Sequence, residues 1–202
     1  FVKIGELRKM LSGRETVVIA DSEVVSHDVI TFRYCTEAMI VLDEKRKTDL
    51  SQIRKSIAHF GDSMVVAGSA KKMRVHIHTD HPSKVMKVLS HYGNITFQKV
   101  DDMVMQNEIT SNAAYPVALL TDSTCDLPQN LIEKYQVHVV PLSVHFGENY
   151  FLDRLTILPE QFYSMLDKAP VYPSTAQPAY KDFFNRYSYL ASHYDSIIGM
   201  HI

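Results

Sequence analysis

Cysteine is scarce in this chain: the 202 residues contain two, Cys35 and Cys125. They lie in unrelated contexts, which argues against a disulfide framework and for a reducing, cytoplasmic setting. Net charge is scarce too. With 21 Lys and Arg against 23 Asp and Glu, the formal charge is −2, so no electrostatic case exists for a nucleic-acid or membrane-surface partner. No apolar run approaches the ~20 residues that cross a bilayer, which argues against membrane insertion. No secretory signal pattern opens the chain. Internal repeats and low-complexity tracts are lacking. So are a Gly-rich nucleotide loop and an acidic cluster suited to Mg²⁺. The chain starts at Phe1 without a Met and stops inside the apolar run 196–202. Both features predict a piece of a longer protein.

What is present is enough apolar material, 46%, for one large domain or two small ones. Residues 1–28 read as a connector, with a short amphipathic helix over 1–11 and a short strand over 16–20. From Val29 the pattern sharpens. Val29 to Leu42 is β-rich, and 43–47 is a charged turn. Thr48 to Phe60 reads as a helix with Thr48 or Asp49 as N-cap and Leu50, Ile53, Ile57 and Phe60 on one stripe. Gly61 ends it. Ser63–Ala67 and Met73–Thr79 form a hairpin across a turn at 68–71. Pro82 opens a helix over 81–92, closed by Gly93, and 94–104 supplies a last strand. The order is β-α-β-β-α-β, the ferredoxin-like arrangement, whose first and third strands are neighbours at the centre of the sheet.

Those two strands carry the first chemical signal. Side chains alternate along a strand, so His76 and His78 share a face, with Cα atoms roughly 6.5–7 Å apart. If the strand of Cys35 lies beside them, a thiolate and two imidazoles meet on one patch. That donor set suits Zn²⁺ and leaves one coordination position free. Glu37 shares the face of Cys35, and three readings are open for it: a fourth ligand, a general base acting through bound water, or an exposed carboxylate, with the last favoured. Thr79 and Asp80 either orient the histidines or, for Asp80 and by preference, cap the helix at Pro82.

Residues 105–115 are polar and weakly patterned, and read as a linker over 109–115. From Pro116 strands alternate with helices, which implies a parallel sheet. Val117–Thr121 and Val137–Val144 are strands, and Ser196 opens a third. Helices run from Pro128 to Tyr135, from Pro159 to about Lys168, and over 179–193, with a loop at 169–178. Asp122, Ser123 and Thr124 follow a buried strand and precede a helix, where N–H and hydroxyl groups suit an anion; alternatively Ser123, Thr124 or Asp126 simply caps the helix. Thr175 and Gln177 lie in a loop stiffened by Pro173 and Pro178; function and an ordinary Pro-rich turn both account for them. The helical spacing of Tyr180, Phe183, Phe184 and Tyr187 reads as core in preference to the wall of a lipid site. Cys125 has no adjacent base and reads as a packing residue.

Leu120-Thr121-Asp122-Ser123-Thr124-Cys125-Asp126-Leu127-Pro128 resembles the opening of the DegV family. Val139-Val140-Pro141-Leu142, Asp153 and Ser174-Thr175-Ala176-Gln177-Pro178 follow in that family's order. Ala176 stands where the family has a serine, Phe151 where a tyrosine is common, and Arg154 where a glycine is common. The resemblance covers 116–202. It implies the N-terminal part of a domain that binds a long-chain fatty acid between two domains, with Thr175 hydrogen-bonding the carboxylate; the position of Asp122, Ser123, Thr124 and Gln177 in the pattern adds them as ligand contacts. A serine-rich loop of that family would begin just past Ile202.

Residues 29–108 resemble the middle domain of the fatty acid kinase, through Tyr34-Cys35-Thr36-Glu37, Gly61-Asp62-Ser63, the run Val75–Pro82, Tyr92-Gly93 and Met103–Gln106. That resemblance implies zinc on Cys35, His76 and His78, structural or catalytic, and an upstream dihydroxyacetone-kinase-like domain for ATP and Mg²⁺, in cis or in trans. The chain then reads as a fusion: connector 1–28, ferredoxin-like zinc-binding module 29–108, linker 109–115, and truncated DegV-type α/β half-domain 116–202. Its parent would phosphorylate a fatty acid to an acyl phosphate, and the fragment alone would be inactive. Rival readings are a non-enzymatic lipid-binding or scaffold protein with a degenerate kinase module, and a zinc hydrolase using Glu37 as base. An exposed sheet edge would allow a homodimer.

Overall fold

The computed structural model describes residues 30–43 and 48–202. The connector helix and strand expected within 1–28, and most of the charged turn at 43–47, lie outside the described residues. Two compact units divide between Asp101 and Asp102, and the chain is mixed α/β. No helix among the described residues is long and apolar enough to cross a membrane.

The first unit runs β1 (Tyr34–Leu42), α1 (Leu50–Ile57), β2 (Gly61–Gly68), β3 (Lys72–Thr79), α2 (Pro82–Leu89) and β4 (Gly93–Asp102). Its sheet has the order β2-β3-β1-β4, so β1 and β3 are the central neighbours, and they pair antiparallel. Asp49 is the N-cap of α1: its carboxylate accepts from the Ser51 N–H, and Gln52 Oε1 accepts from the Asp49 N–H. Alternation along β3 buries Met73, Val75, Ile77 and Thr79 and leaves Arg74, His76 and His78 on the other face. Ile53 and Ile57 of α1 and Val85, Met86 and Leu89 of α2 are fully buried, as are Ile40, Val75, Ile77 and Ile95 of the sheet. The two helices thus give the unit a one-sided core, and the other face of the sheet carries polar side chains. A slip of one residue in the β1–β3 register would exchange the two faces.

Asp80 does not cap α2. Its carboxylate accepts from the Arg33 N–H at 2.8 Å, and the N-cap position belongs to His81, whose side chain makes no capping bond. The His81 N–H is taken instead by the Thr79 hydroxyl at 3.0 Å, which itself donates to the Phe60 carbonyl at 2.8 Å.

The second unit opens with a helix. The polar segment read as a linker is helical, α3 (Met103–Asn112), and the strand before it ends at Asp102. Asp102 starts the helix by accepting from the Met105 N–H at 3.0 Å. Ile109 packs in one cluster with Ala118, Leu120, Val140, Leu190 and Tyr194, so tertiary burial supports a helix whose own pattern is weak. Asp102→Ala should therefore lower the stability of this unit by about 1 kcal/mol, read as an earlier midpoint in urea.

β5 (Val117–Asp122) is the centre of a parallel sheet, between β6 (Val137–Val140) and β10 (Ser196–Met200). The strand expected over 137–144 breaks at Pro141, which offers no N–H. The chain resumes as β7 (Ser143–Phe146) in a second, antiparallel sheet with β8 (Asn149–Leu152) and β9 (Ser174–Ala176). β9 lies inside the segment expected to be a loop. Its side chains are all exposed, so it carried no apolar alternation to reveal it. Helices α4 (Gln129–Lys134), α5 (Pro159–Leu166) and α6 (Tyr180–Ala191) complete the unit.

Candidate functional sites

On the polar face of the first sheet, Cys35 lies directly opposite His78, and Glu37 opposite His76. One ligand atom from each of Cys35, His76 and His78 falls within 4.8 Å of the others. Cys35 Sγ is 3.9 Å from His76 Nδ1. The sequence-predicted trio therefore converges through the β1–β3 register, and its donor set fits zinc.

Electrostatics favour the charged forms. Burial pushes the Cys35 thiol up, but hydrogen bonds and charge from His76 and His78 outweigh it and lower the pKa to about 7. The Cys35 sulfur and the Glu37 carboxylate raise His76 to about 9 against its burial. Hydrogen bonding to His76, and then the Arg74 guanidinium, hold Glu37 at about 2 despite burial.

Glu37 is not the exposed carboxylate expected. It is 6% exposed; its Oε2 accepts from Arg74 at 2.5 Å, and its Oε1 is 3.5 Å from His76 Nδ1. A carboxylate this acidic and this tightly held is also a poor general base. Asp62 stands opposite His78 on the other side of β3, its Oδ1 3.7 Å from His78 Nδ1. Sequence reasoning did not assign Arg74 or Asp62. Arg74 was visible as the residue two before His76 on the same face, whereas Asp62 depends on an irregularity in β2.

In the second unit a pocket of about 210 Å³ opens at the carboxyl edge of the parallel sheet, lined by Asp122, Thr124, Leu142, Gln177, Phe183 and Tyr187 among others. This edge is where open α/β sheets take ligands. Asp122 is 2% exposed. Its carboxylate accepts from the N–H and hydroxyl of Thr124 and, at 3.1 Å, from the Ile202 N–H. Burial pushes Asp122 up, yet these bonds and nearby His201 hold it below its usual range. Ser123 Oγ accepts from the Leu142 N–H at 3.1 Å, tying the break after β6 to the end of β5.

Of the five predicted ligand residues, Asp122, Thr124 and Gln177 border the pocket, while Ser123 is buried as a brace. Thr175 is exposed on β9, opposite Val144. None of Ser123, Thr124 and Asp126 caps α4, whose N-cap is Pro128. The aromatic stripe on α6 is not core: Phe183 and Tyr187 line the pocket, whereas Tyr180 and Phe184 are exposed. Sequence reasoning missed His201, whose Nε2 is 2.9 Å from the Tyr187 hydroxyl and whose Nδ1 is 3.7 Å from Asp122. Its position just past an apolar strand was the available signal.

Residues 31–110 match the middle-domain family of fatty acid kinase A-like proteins. Residues 116–202 match the uncharacterised DegV family. Over 79 residues the chain is 37% identical to Protein YloV of Bacillus subtilis, a match that covers 39% of this chain and 14% of that protein. Over 87 residues it is 36% identical to a DegV domain-containing protein of Clostridium perfringens, covering 43% of this chain and 31% of that one. The chain thus spans a third or less of these curated relatives. Among solved structures, a fatty-acid-binding DegV family protein from Thermus thermophilus is 33% identical, with 44% of this chain and 31% of that chain covered and a TM-score of 0.40. DegV from Bacillus subtilis, a fatty acid binding protein, is 31% identical over the same shares with a TM-score of 0.41. One chain therefore joins a segment matching the fatty acid kinase A-like middle domain to a segment matching the DegV family.

Proposed function

We propose that this chain is part of a fatty acid kinase system, with 31–110 a zinc-holding module and 116–202 part of the acyl-binding site. One observation carries the reading: a single chain holds both a converging Cys/His/His cluster and a carboxyl-edge pocket in a DegV-matching segment. Cys35, His76 and His78 would hold the zinc. When bound, the ion would supply a Lewis acid with a position free for an oxygen ligand, or a structural cross-link.

The chain's own residues supply the acyl side. Leu142, Phe183 and Tyr187 offer an apolar wall to the hydrocarbon. Asp122 fixes the Thr124 backbone and hydroxyl at the rim, and the Gln177 amide and the Thr175 hydroxyl are the neutral donors proposed for the carboxylate. Neutral donors suit a carboxylate that must act as nucleophile, because a cation would lower its basicity. In the proposed reaction a carboxylate oxygen bonds to the γ-phosphorus of ATP, the bond from that phosphorus to the β–γ bridging oxygen breaks, and ADP leaves with acyl phosphate formed. ATP and Mg²⁺ belong to a separate domain in cis or in trans.

The test is product capture. Full-length parent protein with ATP, Mg²⁺ and palmitate should form an acyl phosphate that hydroxylamine traps as the hydroxamate. Palmitate binding with no hydroxamate, in the presence of an intact ATP-binding domain, would overturn the kinase reading in favour of a lipid-binding scaffold. The hold of Arg74 and His76 on the Glu37 carboxylate counts against the hydrolase reading.

A further inference from the structure

We infer that Glu37 and Asp62 are positioning residues, each holding one histidine of the Cys35/His76/His78 cluster from behind, with Arg74 locking Glu37. The inference rests on the zinc reading above and adds two carboxylates to it. The sheet places them by register. Across three adjacent strands Asp62 of β2, His78 of β3 and Cys35 of β1 form one row, and His76 and Glu37 face each other in the next. Each histidine therefore has a carboxylate directly beside it: Glu37 Oε1 at 3.5 Å from His76 Nδ1, and Asp62 Oδ1 at 3.7 Å from His78 Nδ1. A histidine that ligates through Nε2 and meets a carboxylate at Nδ1 has its tautomer and ring plane set in advance.

Two further observations separate this role from ligation. Glu37 contributes no atom to the cluster that converges within 4.8 Å. Its other oxygen is committed to Arg74 at 2.5 Å, so the carboxylate is held between a guanidinium and an imidazole. On the opposite side, the β2–β3 register shifts between Asp62 and Val65, and Ser63 there takes φ 50°, a left-handed backbone that a serine adopts only at a cost. A bulge is the device that re-aims a strand residue next to a site. Here it sits directly after the carboxylate opposite His78.

The experiment is Co²⁺ and Zn²⁺ binding by the intact chain, followed by chelator competition and by the Co²⁺–thiolate absorption band. Wild type, Glu37→Gln, Asp62→Asn and Cys35→Ser are compared, with circular dichroism confirming the fold of each. The Asp62 side chain is 40% exposed, so Asp62→Asn tests the idea where folding is least at risk. Glu37→Gln and Asp62→Asn should each keep one metal per chain and the thiolate band, while affinity falls about 10- to 100-fold. Unchanged affinity in both variants would overturn the inference. So would loss of stoichiometry in Glu37→Gln equal to that in Cys35→Ser, since Glu37 would then be a ligand. Failure of the wild type itself to bind either metal would overturn the zinc reading and the inference together, and that outcome is recognisable because no variant is needed to see it.

Discussion

Elemental analysis of the purified chain should return about one zinc per chain, and the Cys35→Ser/His76→Ala double variant should return none. The expectation follows from the donor set. A thiolate and two imidazoles are soft to borderline ligands that select zinc over the harder cations. Removing the thiolate and one imidazole leaves His78 with no protein co-ligand from the cluster. Stability should follow the metal. A ligand present at 100 times its Kd stabilises the folded state by about 2.7 kcal/mol, so a chelator should lower the unfolding midpoint of the first unit in wild type and not in the variant.

The pH dependence has a definite sign. Binding needs Cys35 deprotonated and both histidines neutral. With Cys35 at about 7 and His76 at about 9, the metal-free protein between those values carries a thiolate beside a protonated His76. Metal entry must then expel one proton, so affinity should rise about tenfold per pH unit from 7 to 9 and level off above. Below 7 two protons must leave, and the slope should approach a hundredfold per unit. A Co²⁺ titration over pH 6–9.5 reads this directly. An affinity independent of pH across that range would show that the cluster does not bind through the thiolate.

The sequence made this centre legible because the alternation over 72–79 is regular and β1 and β3 are neighbours in the βαββαβ order. What surrounds it was less legible, for physical reasons. Burial of Glu37 depends on Arg74 reaching diagonally across the strand pair, and nothing in the run Tyr34–Glu37 encodes that. Asp62 reaches His78 only because β2 bulges, a backbone event with no periodicity signal. In the second unit, α3 escaped notice because its helicity comes from Asp102 and from burial of Ile109 rather than from an apolar stripe. β9 escaped because all three of its side chains are exposed. The α6 aromatics had the right period but the wrong destination: period 3.6 says that residues share a stripe, not whether the stripe faces a core or a pocket. Likewise Asp122 reads in sequence as a ligand residue, whereas its carboxylate is occupied in bracing the turn and the residues after β10.

His138 in β6 should make the second unit acid-sensitive, and His138→Leu should both stabilise it and remove that sensitivity. The ring is 2% exposed. Neither nitrogen has a hydrogen-bond partner among the described residues, and the ring meets Tyr194 edge-on at 6.4 Å. Burial, reinforced by the charge of Arg186, lowers its pKa from 6.5 to about 4. The fold therefore holds the neutral form, whereas the unfolded chain takes up a proton near pH 6.5. Stability is fully present above 6.5 and is lost as the pH falls toward 4, amounting to about 3 kcal/mol at 1.36 kcal/mol per unit.

The window isolates the residue. Asp122, the other group of this unit whose stabilising shift is lost in acid, has a folded pKa below its usual value of 3.8, so it contributes to acid loss only below about 4. Leucine has nearly the volume of histidine and no polar atoms. The substitution should recover about 1–3 kcal/mol of unpaired-group cost at pH 7, less at most about 1.5 kcal/mol for imperfect repacking. Amide exchange at residues 118–120 and 138–140, measured at pH 6.8 and 4.8 after correction for intrinsic rates, reports this unit alone. Wild type should lose protection between the two, and His138→Leu should not. Equal acid loss in both would mean that another group carries the proton. A variant less protected than wild type at pH 6.8 would mean that the imidazole nitrogens have buried partners that leucine cannot replace.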